Sequence, residues 1–248
     1  MPPAIVLVGA AIAGFVQGVS GFALALVAAA FWSGAMSPQV GTPLVVLCSF
    51  MAQLQSIRRV LPHFDRRLAW PMALGGLVGL PIGIALLPLV DAPTLRLTIG
   101  ILLCVYCPAM LLMRSLPAIT WGGRPADAAI GALGGIMGGL AGLSGPPPTL
   151  WCNLRGWPPD VQRATFQVFL VVVQGAGLIG YALTGLVTTE VLRLGAWILP
   201  LVLAGSFAGS LVYTRMKPAL FRRIVLGLLL LNGLALVAEA AFAHAWPD

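Results

Sequence analysis

The stretch Gly142-Leu143-Ser144-Gly145-Pro146-Pro147-Pro148 decides how this chain folds. It sits inside an uncharged run, 126–153, that is apolar enough to enter a membrane. Three consecutive prolines remove three backbone donors, so a helix arriving from residue 126 must break there. A second stretch reads the same way. Gly18-Val19-Ser20-Gly21 interrupts the uncharged run 4–34. A transmembrane helix needs about 20 residues, so that run is too long for one straight span and too short for two.

Around these breaks the composition is that of a membrane protein. Of 248 residues, 59% are apolar and 8% are charged, against about 45–50% and about 25% in soluble domains. So few charges cannot coat a soluble globule, which excludes a soluble enzyme, a nucleic-acid binder and a disordered chain. Thirteen Arg and one Lys stand against seven acids, and the pI is near 10.1. In a membrane protein such a surplus belongs to loops held on the cytoplasmic side. No Lys or Arg precedes Arg58, so the positive n-region of a signal peptide is not seen.

Uncharged runs predict eight segments: 4–34, 39–57, 68–90, 95–113, 126–153, 164–187, 194–213 and 224–243. Their glycines recur at spacings of four, as Gly75, Gly79 and Gly83, then Gly131, Gly135 and Gly139, then Gly205 and Gly209. That pattern predicts close helix packing. Cys48, Cys104, Cys107 and Cys152 all lie in apolar runs, where they read as small packing residues. The Cys104-Val-Tyr-Cys107 spacing lacks the second pair or histidine that a zinc site needs.

The two broken segments correspond. Gly14 to Gly21 aligns with Gly138 to Gly145 at an offset of 124. Thr42 and Thr165 then open the following helices and read as helix-start caps. Gly79 and Gly83 match Gly205 and Gly209, and Arg96 matches Arg223. The expected fold is an all-α polytopic membrane protein of two inverted repeats, 1–120 and 125–248, forming one membrane domain. Each repeat is a broken or re-entrant helical hairpin plus three transmembrane helices.

Inversion follows from the cations. Eight single crossings divide the fourteen cations seven to seven, against the positive-inside bias. If segment 126–153 enters, breaks and returns, twelve are cytoplasmic and only Arg96 and Arg193 are outside. Eight plain spans with a proline kink are the alternative.

Inverted repeats with broken helices are the mark of secondary transporters, whose sites form near the midplane. A helix beginning in mid-membrane carries partial positive charge and unpaired N–H groups, which suit an anion. The candidate site is therefore Gly18, Ser20 and Gly21 with Gly142, Ser144 and Gly145, and Ser20 and Ser144 can equally be caps of the breaks. Gln53 and Gln174 hold near-equivalent positions in the repeat and join the candidates. Their other reading is interhelical hydrogen bonding. Gln17, Ser49, Gln167 and Asn232 are further polar residues within spans, and Asn153 follows the proline run. No carboxylate lies mid-span: Asp65, Asp91, Asp127, Asp160, Glu190 and Asp248 are at ends or in loops, with Glu239 in the last turns. Carboxylate-coupled pumping and membrane-embedded enzymology thus lack their usual groups. This reading places the site far from every arginine.

A Gly-rich break preceded by G-x-x-x-G, then an apolar run, a proline and a Thr-led helix, occurring twice from Gly14 to Gly227, resembles the sulfite exporter TauE/SafE family. The breaks here read Ser20-Gly21-Phe22 and Ser144-Gly145-Pro146 where the family is glycine-richer. The resemblance implies a permease without enzymatic activity or a bound cofactor. It implies transport of small sulfur-containing or organic anions, such as sulfite or sulfonates, across the inner membrane. Export fits an interior-negative potential. A passive anion channel shares this chemistry, and a lipid-modifying enzyme is a more distant alternative. The expected partners are a small anion and the lipid bilayer. A homo-oligomer stays open, and nucleic acid has no place.

Overall fold

The computed structural model describes residues 3–32, 34–58, 60–112, 118–213, 226–227, 229–231 and 233–238. It is helical, with no strand among the described residues. In chain order the helices are α1 (Ala4–Ser20), α2 (Leu24–Trp32), α3 (Pro38–Ile57), α4 (Arg66–Leu86) and α5 (Ala92–Leu112). There follow α6 (Gly123–Ala141), α7 (Pro146–Leu154), α8 (Pro159–Leu183) and α9 (Thr189–Tyr213). Helices α3, α4, α5, α8 and α9 are long and apolar enough to cross a membrane. Leu74, Val78 and Ile82 on α4, and Ile101 and Val105 on α5, leave large apolar side chains on the outer surface. That is the surface hydrocarbon requires.

Both expected breaks are present. Each turns the chain back, because the far end of the second helix meets the start of the first. Trp32 Nε1 at the end of α2 donates to Val6 O at 3.1 Å. At the other hairpin, Ile119 N donates to Leu154 O at 2.7 Å, and Arg155 Nη1 donates to Trp121 O at 3.1 Å. The fold-back buries Asp127, which accepts from Trp151 Nε1 at 2.7 Å and pairs with Arg155 Nε at 3.8 Å. Arg155 also lies over the rings of Trp151 and Trp157. A buried carboxylate is costly unless paired, and here the pair ties the two arms of one hairpin together.

The glycine ladders set the main packing. Gly75, Gly79 and Gly83 of α4 meet the backbone of α6 at Ala128, Ala132 and Ile136. Gly131, Gly135 and Gly139 face back onto α4. Both sets advance in the same direction, so α4 and α6 run parallel. Gly14 and Gly18 of α1 abut Val202 and Ser206 of α9 in the same parallel sense, and Gly205 and Gly209 return the contact. Any side chain at these positions would strike backbone. Lipid tails are as apolar as leucine, so this close backbone fit does what hydrophobic burial does in water.

Helix starts differ from expectation at two places. Helix α3 begins at Pro38 after Ser37, and α8 begins at Pro159 after Pro158. Thr42 and Thr165 therefore lie inside their helices, both buried, and cap neither start. Proline at the first helical position is preorganised for the helix and fixes the start earlier. Elsewhere, Asp65 Oδ1 caps α4 by accepting from Arg67 N at 2.8 Å. Asp91 precedes α5, where hydrogen bonding to Thr94 holds its carboxyl below the usual range. The last expected segment, 224–243, lies partly outside the described residues. So do Asn232, Glu239, Asp248 and the cations from Arg215 to Arg223. Its described residues Leu226, Leu229 and Leu236 are buried in the same core as Leu24 to Ala28.

Candidate functional site

At the first break α1 ends on Gly21, whose φ of +85° only glycine adopts without strain. The broken ends are held by local side chains. Ser20 Oγ donates back to Val16 O at 2.7 Å and accepts from Ala23 N at 3.2 Å. Gln17 Oε1 accepts from Leu24 N at 2.9 Å, which caps the first residue of α2. Ser20 is thus a cap of the break, the plainer of its two expected roles.

Three side chains from other helices then close on Gly21. Gln53 Nε2 of α3 donates to Gly21 O at 2.7 Å. A Cβ placed on Gly21 would stand 2.6 Å from Gln167 Nε2 and 3.6 Å from the Arg163 guanidinium, both on α8. Gln167 is fully buried, and neither its amide nitrogen nor its oxygen has a hydrogen-bond partner. Thr165 Oγ1, Gln174 Oε1 and Ser49 Oγ are also buried without one. Leaving such a group unpaired costs about 1–3 kcal/mol. These groups lie on α3 and α8, two helices that pack together.

The arginine overturns one expectation. The first break does not lie far from every arginine, because Arg163 stands against it. The residue immediately precedes an apolar run and reads as a loop cation. However, α8 begins at Pro159, so Arg163 is already one turn inside the helix and turned toward the break. Gln167, one turn further on, shares its face.

The second break starts alike. Gly142 has φ +71°, its N–H reaches Gly138 O at 2.9 Å, and Leu143 N reaches Met137 O at 3.2 Å. Beyond that the break is enclosed by apolar side chains and by hydroxyls spent on its own carbonyls. Val45 and Val46 of α3 press on Gly142. Ser144 is buried against Gly138. The first three residues of α7 are Pro146, Pro147 and Pro148, none of which has an N–H to offer. Thr149 takes Gly145 O at 2.9 Å and meets Tyr106 Oη at 2.9 Å, while Tyr181 Oη donates to Gly139 O at 2.7 Å. A narrow cleft lined by Arg96, Thr42, Val45 and Ala141 ends beside this break.

The two breaks meet through Phe22. Gly145 lies against its ring and carbonyl, and the ring stands edge-on to Phe166 at 5.8 Å and Tyr106 at 6.3 Å. Of the expected site residues, Ser20, Gly21 and Gln53 gather at the first break, and Gly142, Ser144 and Gly145 at the second. Gly18 instead packs on Ser206 of α9, and is a helix-packing residue. Gln174 is buried on α8, seven residues beyond Gln167, on the same face. The geometry adds Arg163, Gln167 and Phe22 to the candidates. Gln167 had a visible signal, as a polar residue inside a span.

Two hairpins, each broken inside a bundle of apolar helices, make this a polytopic membrane protein. The chain belongs to the sulfite exporter TauE/SafE family, whose model matches residues 6–236. This is a family of transporters and not of enzymes. The chain is also similar to the probable sulfite/organosulfonate exporter TauE of Cupriavidus necator (strain ATCC 17699 / DSM 428 / KCTC 22496 / NCIMB 10442 / H16 / Stanier 337), with 24% identity over 234 residues. That alignment covers 92% of this chain and 91% of the relative. No solved structure matches it.

Proposed function

We propose that this protein is a secondary transporter that exports small sulfur-containing or organic anions, such as sulfite or sulfonates, across the bacterial inner membrane. The observation that carries the reading is the convergence of Arg163, Gln53 and Gln167 on Gly21. Arg163 supplies the charge and a planar fork suited to an oxyanion. Gln167 supplies an amide donor that protein groups leave unused. The exporter named among the relatives supports the substrate class.

Halves 1–120 and 125–248 act as inverted repeats in this reading. Support comes from their exchanged packing: α1 of one half runs parallel to α9 of the other, and α6 runs parallel to α4. Since α4 and α6 start from one face and α1 and α9 from the other, the hairpins enter from opposite sides. Alternating access then exposes the site first through Arg163 and later through the cleft that Arg96 lines. An interior-negative potential is worth about 2.3 kcal/mol per charge per 100 mV, which favours exit of an anion without a coupled ion.

The test is counterflow of labelled sulfite in proteoliposomes, with thiosulfate, sulfoacetate, taurine and simple carboxylates as competitors and with an imposed potential. Saturable counterflow is expected, together with net efflux that is accelerated when the substrate-loaded side is negative. Non-saturable flux would identify a channel, and flux indifferent to potential would defeat uncoupled export.

A further inference from the structure

One feature of the surface lies away from the breaks and their candidate site. Helices α4 and α6 are held backbone to backbone by their glycine ladders and start side by side. Arg66 and Arg67 open α4, and Arg124 opens α6. These three side chains and Trp70 line one groove with Pro71, Leu74, Pro125 and Ala128. All three arginines are exposed. None forms an ion pair with a carboxylate among the described residues. The neighbouring Asp65 is engaged with the backbone N–H of Arg67.

Below the arginines the surface changes character. Trp70, Leu74, Val78 and Ile82 follow one another at four-residue intervals down α4, and each is about half exposed or more. Residues four apart share a helix face, so they make one continuous apolar stripe. It runs from the groove toward the middle of the span. Tryptophan settles at the headgroup level of a bilayer, which sets the arginines at the depth of lipid phosphates. Two parallel helix N-termini add positive potential at the same point.

We propose that this groove is a binding site for one anionic phospholipid. Its phosphodiester lies on Arg66, Arg67 and Arg124, and an acyl chain runs down Leu74, Val78 and Ile82. Charge complementarity selects the headgroup, and the stripe selects a lipid over a soluble anion. A bound lipid would bridge the two helices that carry the α6–α7 hairpin and so would stabilise the bundle.

The experiment uses the full chain in detergent, measured by native mass spectrometry and thermal unfolding. Phosphatidylglycerol, phosphatidylcholine and inorganic phosphate are added separately at equal concentration. Phosphatidylglycerol is expected to stay bound and raise Tm above the phosphatidylcholine value. Each of Arg66→Gln, Arg67→Gln and Arg124→Gln should weaken retention by roughly fivefold. Salt should erode the preference in the unmodified protein, which tests the charge contribution even if a variant does not fold. Equal retention of both lipids would overturn the proposal. Stabilisation by inorganic phosphate as strong as by phosphatidylglycerol would also overturn it, assigning the arginines to a free anion.

Discussion

At both breaks a helix ends on a glycine of positive φ, Gly21 at +85° and Gly142 at +71°, yet the surroundings differ in kind. The first break faces Gln53, Gln167 and Arg163. The second faces Val45 and Val46 and begins its return helix with three residues that have no N–H. A duplicated backbone event has therefore been given two different chemistries. The first break offers donors and a charge. The second is closed by Tyr181, which takes its carbonyls, and by Phe22, which fills the space beside Gly145. Equal backbone does not make equal surroundings, because side chains from other helices decide what faces each break.

The sharpest way to break that contrast is Arg163→Gln. Losing a charge-assisted hydrogen bond is worth about 1.5–3 kcal/mol, so substrate affinity should fall roughly 10- to 100-fold. Isothermal titration with sulfite measures it, and an unchanged affinity would remove the first break as the site.

Next in size is a matched pair, Gly21→Ala and Gly142→Ala. Each forces an L side chain into left-handed backbone, at a cost of roughly 1–2 kcal/mol. The added Cβ also meets Gln167 at one break and Val45 at the other. Both should lower Tm, but only Gly21→Ala should also weaken binding in the protein that folds. Equal loss of binding in the two would erase the distinction.

Gln167→Leu separates stability from function. Replacing a buried, unpartnered amide with an apolar side chain of similar size should raise stability by about 1 kcal/mol, read from Tm. The same change should reduce affinity by about fivefold. A substitution that stabilises and disables together identifies a group kept for its ligand. Loss of stability would instead point to a structural role.

The smallest effect is expected from Ser144→Ala. The three prolines of the second break have no N–H and the hydroxyls of Thr149 and Tyr181 are spent on carbonyls, so affinity should change by less than about twofold, a difference within about 0.4 kcal/mol. A larger loss in the same titration would move part of the site to the second break.

Much of the fold was legible because its determinants are local. Pro146, Pro147 and Pro148 forbid a continuous helix whatever surrounds them, and four-residue glycine spacing marks a face that backbone can approach. The site was legible only in part. Gly21 and Gln53, which the structure brings together, were named from the break and from polarity within a span. Arg163 was not, because a cation at the edge of an apolar run looks like any loop arginine. Its place beside the break depends on α8 starting four residues earlier and on which way that turn faces. Thr42 and Thr165 misled for the same reason, since the prolines at Pro38 and Pro159 had already begun the helices.

The sequence by itself determined that the chain is helical, that it belongs in a membrane and where its two helices break. Those properties follow from hydropathy and from backbone chemistry, which each residue carries with it. Only the tertiary structure decided which side chains surround each of the two breaks. A buried amide or a guanidinium gains meaning from partners on other helices. Gln53, Gln167 and Arg163 become neighbours of Gly21 only when α3 and α8 have packed around it.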